Sequence, residues 1–189
     1  FNGTDDYVST SAVTSFNNNS YTYSSWINIS SLPAIGNQKV IFSVSDGDQI
    51  ISVFNDYGGF TGIAAVSYHG SGNNILQQGT LPSISTWYHV VSTRDSSENT
   101  FKLYINGQQI ASSALGNATA SYGTTNGVNI GRRLAGATNY FSGQIDEARI
   151  YNRALSPREV RDLYNWAPGP RVYLKMEEEQ KSQIYGLRT

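Results

Sequence analysis

The sequence predicts an all-β domain of sandwich size, closed by one short helix near its C-terminal end. Three observations carry that reading. Short runs of alternating apolar and polar residues recur along the chain, separated by turn residues, which is the period of half-buried strands. Hydrophobic residues make up 39% of the chain and charged residues 14%, with Ser, Thr, Asn, Gly and Tyr filling the difference; neutral polar side chains and tyrosines suit the outer faces of a sheet protein. Finally, 189 residues are enough for one such domain and thin for two.

The elements follow in order. Tyr21 to Ile29 alternates loosely around Trp26. Lys39 to Ser45 and Gln49 to Phe54 come next, and Asp46-Gly47-Asp48 between them reads as a tight hairpin, since Gly supplies the positive φ that such a turn needs. Gly62 to Tyr68, Trp87 to Thr93 and Phe101 to Ile105 are further strands. Asn106-Gly107 is the strongest short-range hairpin signal in the chain, with Gln109 to Ser113 as the returning strand. Val128 to Ile130 and Gln144 to Tyr151 complete the set. Ser156-Pro157-Arg158-Glu159 offers an N-cap Ser, Pro at the first helical position and Glu three residues after the cap, a capping box with the preferred N1 residue. Val160, Leu163 and Tyr164 then share one face of a helix of about two turns. Pro168-Gly169-Pro170 marks the boundary, giving a domain over residues 1–168 and a tail over 169–189. Arg171 to Met176 alternates like one more strand, and Glu177-Glu178-Glu179 reads as a solvated charge run.

Composition excludes several functions. A formal net charge of -1 without a basic cluster removes the phosphate-tracking footprint of a nucleic-acid binder. With no cysteine, a disulfide framework, a thiolate metal site and a cysteine nucleophile are all ruled out. No apolar stretch reaches the roughly 20 residues that span a bilayer, so membrane insertion is not expected. No signal peptide is visible, and the abrupt opening on Phe1-Asn2-Gly3-Thr4 reads as an excerpt of a longer chain. Asn2, Asn18, Asn28 and Asn117 head sequons, which chance alone also produces in so Asn-, Ser- and Thr-rich a chain.

Five stretches, in order, resemble the laminin-G-like domain. Phe1-Asn2-Gly3-Thr4-Asp5-Asp6-Tyr7-Val8 is similar to that family's F-D-G-x-D-D-Y-V segment, and Tyr23-Ser24-Ser25-Trp26-Ile27 to its aromatic-x-x-Trp strand. Trp87-Tyr88-His89-Val90-Val91 resembles W-x-H-V-A, and Lys102 to Gly107 the L-Y-V-N-G hairpin. The run from Phe141 to Ser156 is close to F-x-G-x-I-D-E-V-R-I-Y-N-R-A-L-S. The resemblance implies a two-sheet antiparallel β-sandwich of the jelly-roll, concanavalin A-like kind, and an extracellular or cell-surface setting. The family's usual first strand, V-x-Y-W-x-x-D-E-x-x-G, is missing from the front, while Arg171 to Glu178 looks like it at the back. That tail either opens a following repeat or supplies the missing strand, within the chain or to a neighbour; filling the slot is the reading preferred, because an unpaired edge is a liability.

The resemblance also implies that Asp5, Asp6, Asp146 and Glu147 help hold calcium, the cofactor expected here, through hard oxygen ligands. Alternation puts Asp146 on a face with Ala148 and Ile150, so its carboxylate is expected to point inward and need a partner: the metal, Arg149, Arg153 or backbone amides. Polysaccharide hydrolases that share the broad fold place their carboxylates as E-x-D-x-x-E on one strand; that pattern is absent, so no enzyme is expected. His89 reads as a hydrogen-bonded strand residue and His69 as a loop residue, while Trp26 and Trp87 match buried family positions. Loop aromatics Tyr57, Tyr122 and Tyr140, with Arg132, are the candidate ligand-binding residues. The expected function is a noncatalytic recognition or adhesion module for carbohydrate or extracellular protein. The alternative is a structural subunit that self-associates by strand addition through residues 171–176.

Overall fold

The computed structural model describes residues 1–10, 20–44, 49–69, 72–115, 127–133 and 138–166. Asp46-Gly47-Asp48, Tyr122 and the tail from 167 onward lie outside them. Eleven strands and one helix are described: β1 (Val8–Ser9), β2 (Tyr21–Ile29), β3 (Asn37–Val44), β4 (Gln49–Tyr57), β5 (Phe60–His69), β6 (Gly72–Gln77), β7 (Trp87–Asp95), β8 (Thr100–Ile105), β9 (Gln108–Ala114), β10 (Val128–Ile130), β11 (Gly143–Tyr151) and α1 (Pro157–Trp166). They form two antiparallel sheets, β1-β10-β3-β4-β5-β6 and β11-β2-β7-β8-β9. His69 is the last residue of β5 rather than part of a loop, paired with Gly72.

Period-2 alternation builds the core. Tyr21, Tyr23, Ile27 and Ile29 of β2 meet Phe42, Ile51, Val53, Ile63 and Ala65 of the six-stranded sheet, with Val90, Phe101, Leu103 and Ile105 completing the layer. Two aligned sheets packed face to face in this way give one dry slab between them. The β8–β9 turn takes the form its sequence demands, with positive φ at Asn106 (52°) and Gly107 (75°), as in a type I′ hairpin.

The other face of the five-stranded sheet is not left to solvent. Val91, Tyr104, Leu155 and Val160 form a second apolar cluster there, with Tyr151 and Leu163 against it, so α1 makes a third layer. Its N-terminus is capped as the sequence predicts: Glu159 N donates to Ser156 Oγ at 3.3 Å, and Ser156 N donates to Glu159 Oε2 at 2.9 Å. Arg153 grips the same carboxylate with both terminal nitrogens, at 3.0 and 2.6 Å. These bonds, that from Arg153 first, hold the Glu159 carboxyl down to about 2. Under the helix, Tyr164 stacks on Trp26 with centroids 5.6 Å apart and planes 20° apart. His89 lies beside both rings and shares a 3.0 Å hydrogen bond with Ser24 Oγ through Nε2. Trp26 is therefore buried as expected, but beneath the helix instead of between the sheets; Trp87, at the start of β7, is only half-buried.

Burial, with a smaller contribution from Arg149, pushes the His89 pKa down from 6.5 to about 4. The unfolded chain therefore takes up this proton first as pH falls. The stability contributed by neutral His89 is complete above 6.5 and is lost as pH drops toward 4, by on the order of 3 kcal/mol. Urea midpoints measured between pH 7 and pH 4 should fall accordingly, and His89→Gln should flatten that stretch of the profile; an unchanged slope in the variant would assign the acid sensitivity to other groups.

Gly143 marks the tightest backbone approach. Its φ is 141° and a Cβ there would meet Asn28 O at 2.0 Å, whereas one on Gly36 (φ 76°) would touch nothing within 4 Å. Gly143→Ala should cost about 3 kcal/mol, because strain and a backbone clash add, and Gly36→Ala about 1 kcal/mol. Denaturant titration separates the two; equal losses would mean that β11 moves to relieve the clash.

Candidate binding surface

The N-terminal turn is organised by one side chain. Asn2 Oδ1 accepts from Thr4 N and Thr4 Oγ1, both at 2.9 Å, and from Asp5 N at 3.2 Å and Asp6 N at 3.4 Å. An Asn that bonds the backbone two and more residues on makes a turn without needing a strand partner. Asp5 Oδ1 accepts from Asn2 Nδ2 at 2.6 Å, and Asp6 Oδ2 from Asn2 N at 2.9 Å. Phe1 N donates to Gly143 O at 2.9 Å. The turn is thus pinned to β11 at Phe1, with Asp5 and Asp6 facing outward at its tip.

Tyr7 follows, 45% exposed, and leads into the two-residue edge strand β1. Beside it, β10 ends at Ile130 and delivers Arg132, whose guanidinium carbon sits 3.4 Å from the centre of the Tyr7 ring. Arg132 Nε is held by Asn129 Oδ1 at 3.2 Å, so the cation is fixed over the ring. Such a pair is worth about 0.5–1 kcal/mol where exposed. The chain then turns back: Arg133 N donates to Thr138 O at 3.0 Å and Phe141 N to Gly131 O at 2.7 Å. These two bonds place Arg132 and the half-buried Tyr140 on facing arms of one loop. Two of the sequence candidates are therefore brought together, and Tyr7 joins them.

Tyr57 occupies the tip of the β4–β5 hairpin, 38% exposed, with its ring 5.7 Å from that of Phe54. Gly131 N reaches Ile41 O, and Val40 N reaches Asn139 O, so the Arg132 loop runs toward the same end of β3 that faces this hairpin. Tyr122 lies outside the described residues.

The acidic pair on β11 is placed differently from expectation. Ile145 pairs with Ile27 in the core, and Asp146 with Trp26 on the helix-covered side. Two residues, Glu147 and Ala148, then stand where the partner strand has one, and pairing resumes at Arg149 with Ser24. The bulge, with Glu147 at φ 50°, shifts the alternation by one residue. Asp146 consequently shares a face with Arg149 and Tyr151, not with Ile150, and is exposed rather than inward. Its Oδ1 accepts from Glu147 N at 2.8 Å, while Glu147 pairs with Arg149. Of the partners weighed for Asp146, a backbone amide is the one in place. Among the described residues, no group of three or more His, Asp or Glu side chains is gathered, and Asp5, Asp6, Asp146 and Glu147 each bond to protein groups of their own.

Tyr7 was missed as a site residue because nothing in its own neighbourhood marks it: its partner Arg132 arrives from the far end of the chain. A shallow hollow of about 260 Å³ between β11 and α1, lined by Tyr151, Leu155, Leu163 and the 72%-exposed Trp166, also had no local signal. Arg149 lies 5.5 Å from the Trp166 ring.

Comparison with known proteins agrees with this architecture. Human adhesion G-protein coupled receptor D1 is 37% identical over 90 residues, 47% of this chain and 10% of the receptor. A candidate carbohydrate binding protein from Bacteroides ovatus superposes with a TM-score of 0.66 at 21% identity, over 82% of this chain and 43% of that one. Domain 4 of AbnA, an extracellular arabinanase from Geobacillus stearothermophilus solved with arabinotriose, superposes with a TM-score of 0.58 at 26% identity, over 77% of this chain and 66% of that one. The chain thus spans a tenth of the receptor and less than half of the Bacteroides protein. The sequence pattern of a laminin-G family described as the Concanavalin A-like lectin/glucanases superfamily matches residues 2–161, and the chain belongs to that family.

Proposed function

We propose that this chain is a noncatalytic recognition module that binds carbohydrate, or the surface of an extracellular protein, on the Tyr7–Arg132–Tyr140 rim. The observation that carries the reading is an exposed aromatic ring with a fixed guanidinium over it, at the edge of a rigid sheet. An aromatic face and oriented donors on a stiff scaffold are what a sugar ring and its hydroxyls need, with little ordering cost on binding. The arabinotriose-bound arabinanase domain supports the sugar version. A noncatalytic reading suits the acidic residues of β11, since Glu147 is neutralised by Arg149 and Asp146 is tied to its neighbour's amide. The rim does not require calcium, and a chelator arm tests whether Asp5 and Asp6 recruit it.

Titrating the chain with arabinotriose and a panel of neutral oligosaccharides by calorimetry should reveal a binder that Tyr7→Ala weakens about tenfold, a loss of roughly 1.4 kcal/mol. Affinity unchanged by Tyr7→Ala and by Tyr140→Ala would remove the rim as the site.

A second reading, strand addition, has one observation in its favour. β11 is an edge strand of its sheet, met on its outer side by Phe1 at Gly143 and by no other described strand, and Trp166 ends α1 close to Arg149 of that strand. Arg171–Met176 is the segment proposed to pair there, completing the domain. Light scattering should then give a monomer whose melting temperature falls on deletion of residues 171–189. Concentration-dependent assembly lost on the same deletion would instead support pairing between chains.

A further inference from the structure

A second cleft opens on the far side of the molecule from the rim, between α1 and the β8–β9 turn, with a volume of about 570 Å³. Its walls are rigid. Tyr104 forms the floor and is 1% exposed. Tyr164 forms one side and is locked by its stack on Trp26. The turn approaches so closely that a Cβ on Gly107 would lie 3.1 Å from the Tyr164 ring, so only glycine lets the hairpin and helix meet as they do. Apart from Pro157, the rest of the lining is polar: the amides of Asn106, Gln108, Gln109 and Asn165, and the guanidinium of Arg161.

The charge of this lining is lopsided. It contains no carboxylate, although the whole chain has more acidic than basic residues. Arg149, Arg153 and Arg158 are each paired with a carboxylate of their own. Arg161 has none within 4 Å among the described residues. An unneutralised guanidinium beside planar amides and a fixed phenol ring offers one bidentate carboxylate seat and several hydroxyl partners.

We propose that this cleft is a second saccharide site, specific for a sugar carrying a carboxylate, such as a uronate residue. The carboxylate pairs with Arg161, the ring lies against Tyr164, and the hydroxyls bond to Gln108, Gln109 and Asn165. The site is separate from the Tyr7–Arg132 rim, so either can fail without the other.

The test is titration of the intact chain with trigalacturonate, with its methyl ester and with a neutral trisaccharide, followed by calorimetry and by amide chemical shifts. Trigalacturonate should bind more tightly than its ester by about tenfold, the scale of one charge-assisted contact, with shifts clustered at Gly107–Gln109 and Arg161–Asn165. Arg161→Gln should abolish that preference, while Arg158→Gln, on the same helix but outside the cleft, should preserve it. Equal loss in both variants would mean diffuse charge attraction and overturn the site. No binding of trigalacturonate at 1 mM on the order of the weakest useful affinities would overturn it as well. Loss in Arg132→Gln with Arg161→Gln unaffected would move the acidic sugar to the rim, leaving the function proposed above intact and this cleft refuted.

Discussion

The helix side of the molecule hangs on the hydroxyl of Thr22. This side chain is fully buried, on the sheet face that an ordinary sandwich would give to water. It donates to Arg153 O at 2.8 Å and accepts from Leu155 N at 2.9 Å. One hydroxyl thus satisfies two backbone groups of the segment that joins β11 to α1. Without it, covering the five-stranded sheet would leave those groups unpaired in a dry place, at about 1–3 kcal/mol each. With it, Leu155 drops into the cluster of Val91, Tyr104 and Val160, and the helix starts at a defined height above the sheet. The Trp26–Tyr164 stack then fixes its roll, and the cleft beside the β8–β9 turn is what remains between a helix and a hairpin that cannot close further.

Much of this was legible because strands announce themselves by period. β2 and β10 run over the residues that alternation assigns them, and Asn106-Gly107 made its hairpin. The helix was legible from its capping box, although the sequence suggested two turns and the helix runs for ten residues. β6 was not legible: Gly72-Asn73-Asn74 opens it with residues that favour turns, and it forms because β5 offers an edge that pairs through six positions. β1 was hidden for the same reason, since two residues carry no period and only the ladder to β10 defines them.

The candidate rim was legible in composition but not in geometry. Exposed tyrosines and a loop arginine belong to recognition chemistry, and two of the four ligand candidates do face each other across one loop. What no spacing rule supplies is that Tyr7 lies under Arg132, because that contact depends on the closure of β1 onto β10. The orientation expected of Asp146 erred in an instructive direction. Strict alternation was the correct rule applied across a place where the strand breaks it, and the positive φ of Glu147 is invisible in a residue type that seldom adopts one.

That bulge divides β11 into two stretches with different allegiances. Up to Ile145 the strand answers to the slab between the sheets, where Ile27 is its opposite number. From Arg149 onward it answers to the helix, through Trp166 and the cluster that receives Tyr151. Substitutions in the first half are constrained by core volume, and those in the second by the surface of α1, so the two halves answer to different packing demands. Deleting Glu147 or Ala148 would leave Asp146 and Arg149 two residues apart, so plain alternation would keep both opposite Trp26 and Ser24 and only the bulge would disappear. A deletion on either side of the bulge is the graver event, because it would turn one half of β11 over while leaving the other in place, and the bulge is thus the one point where this strand can give up a residue without changing allegiance.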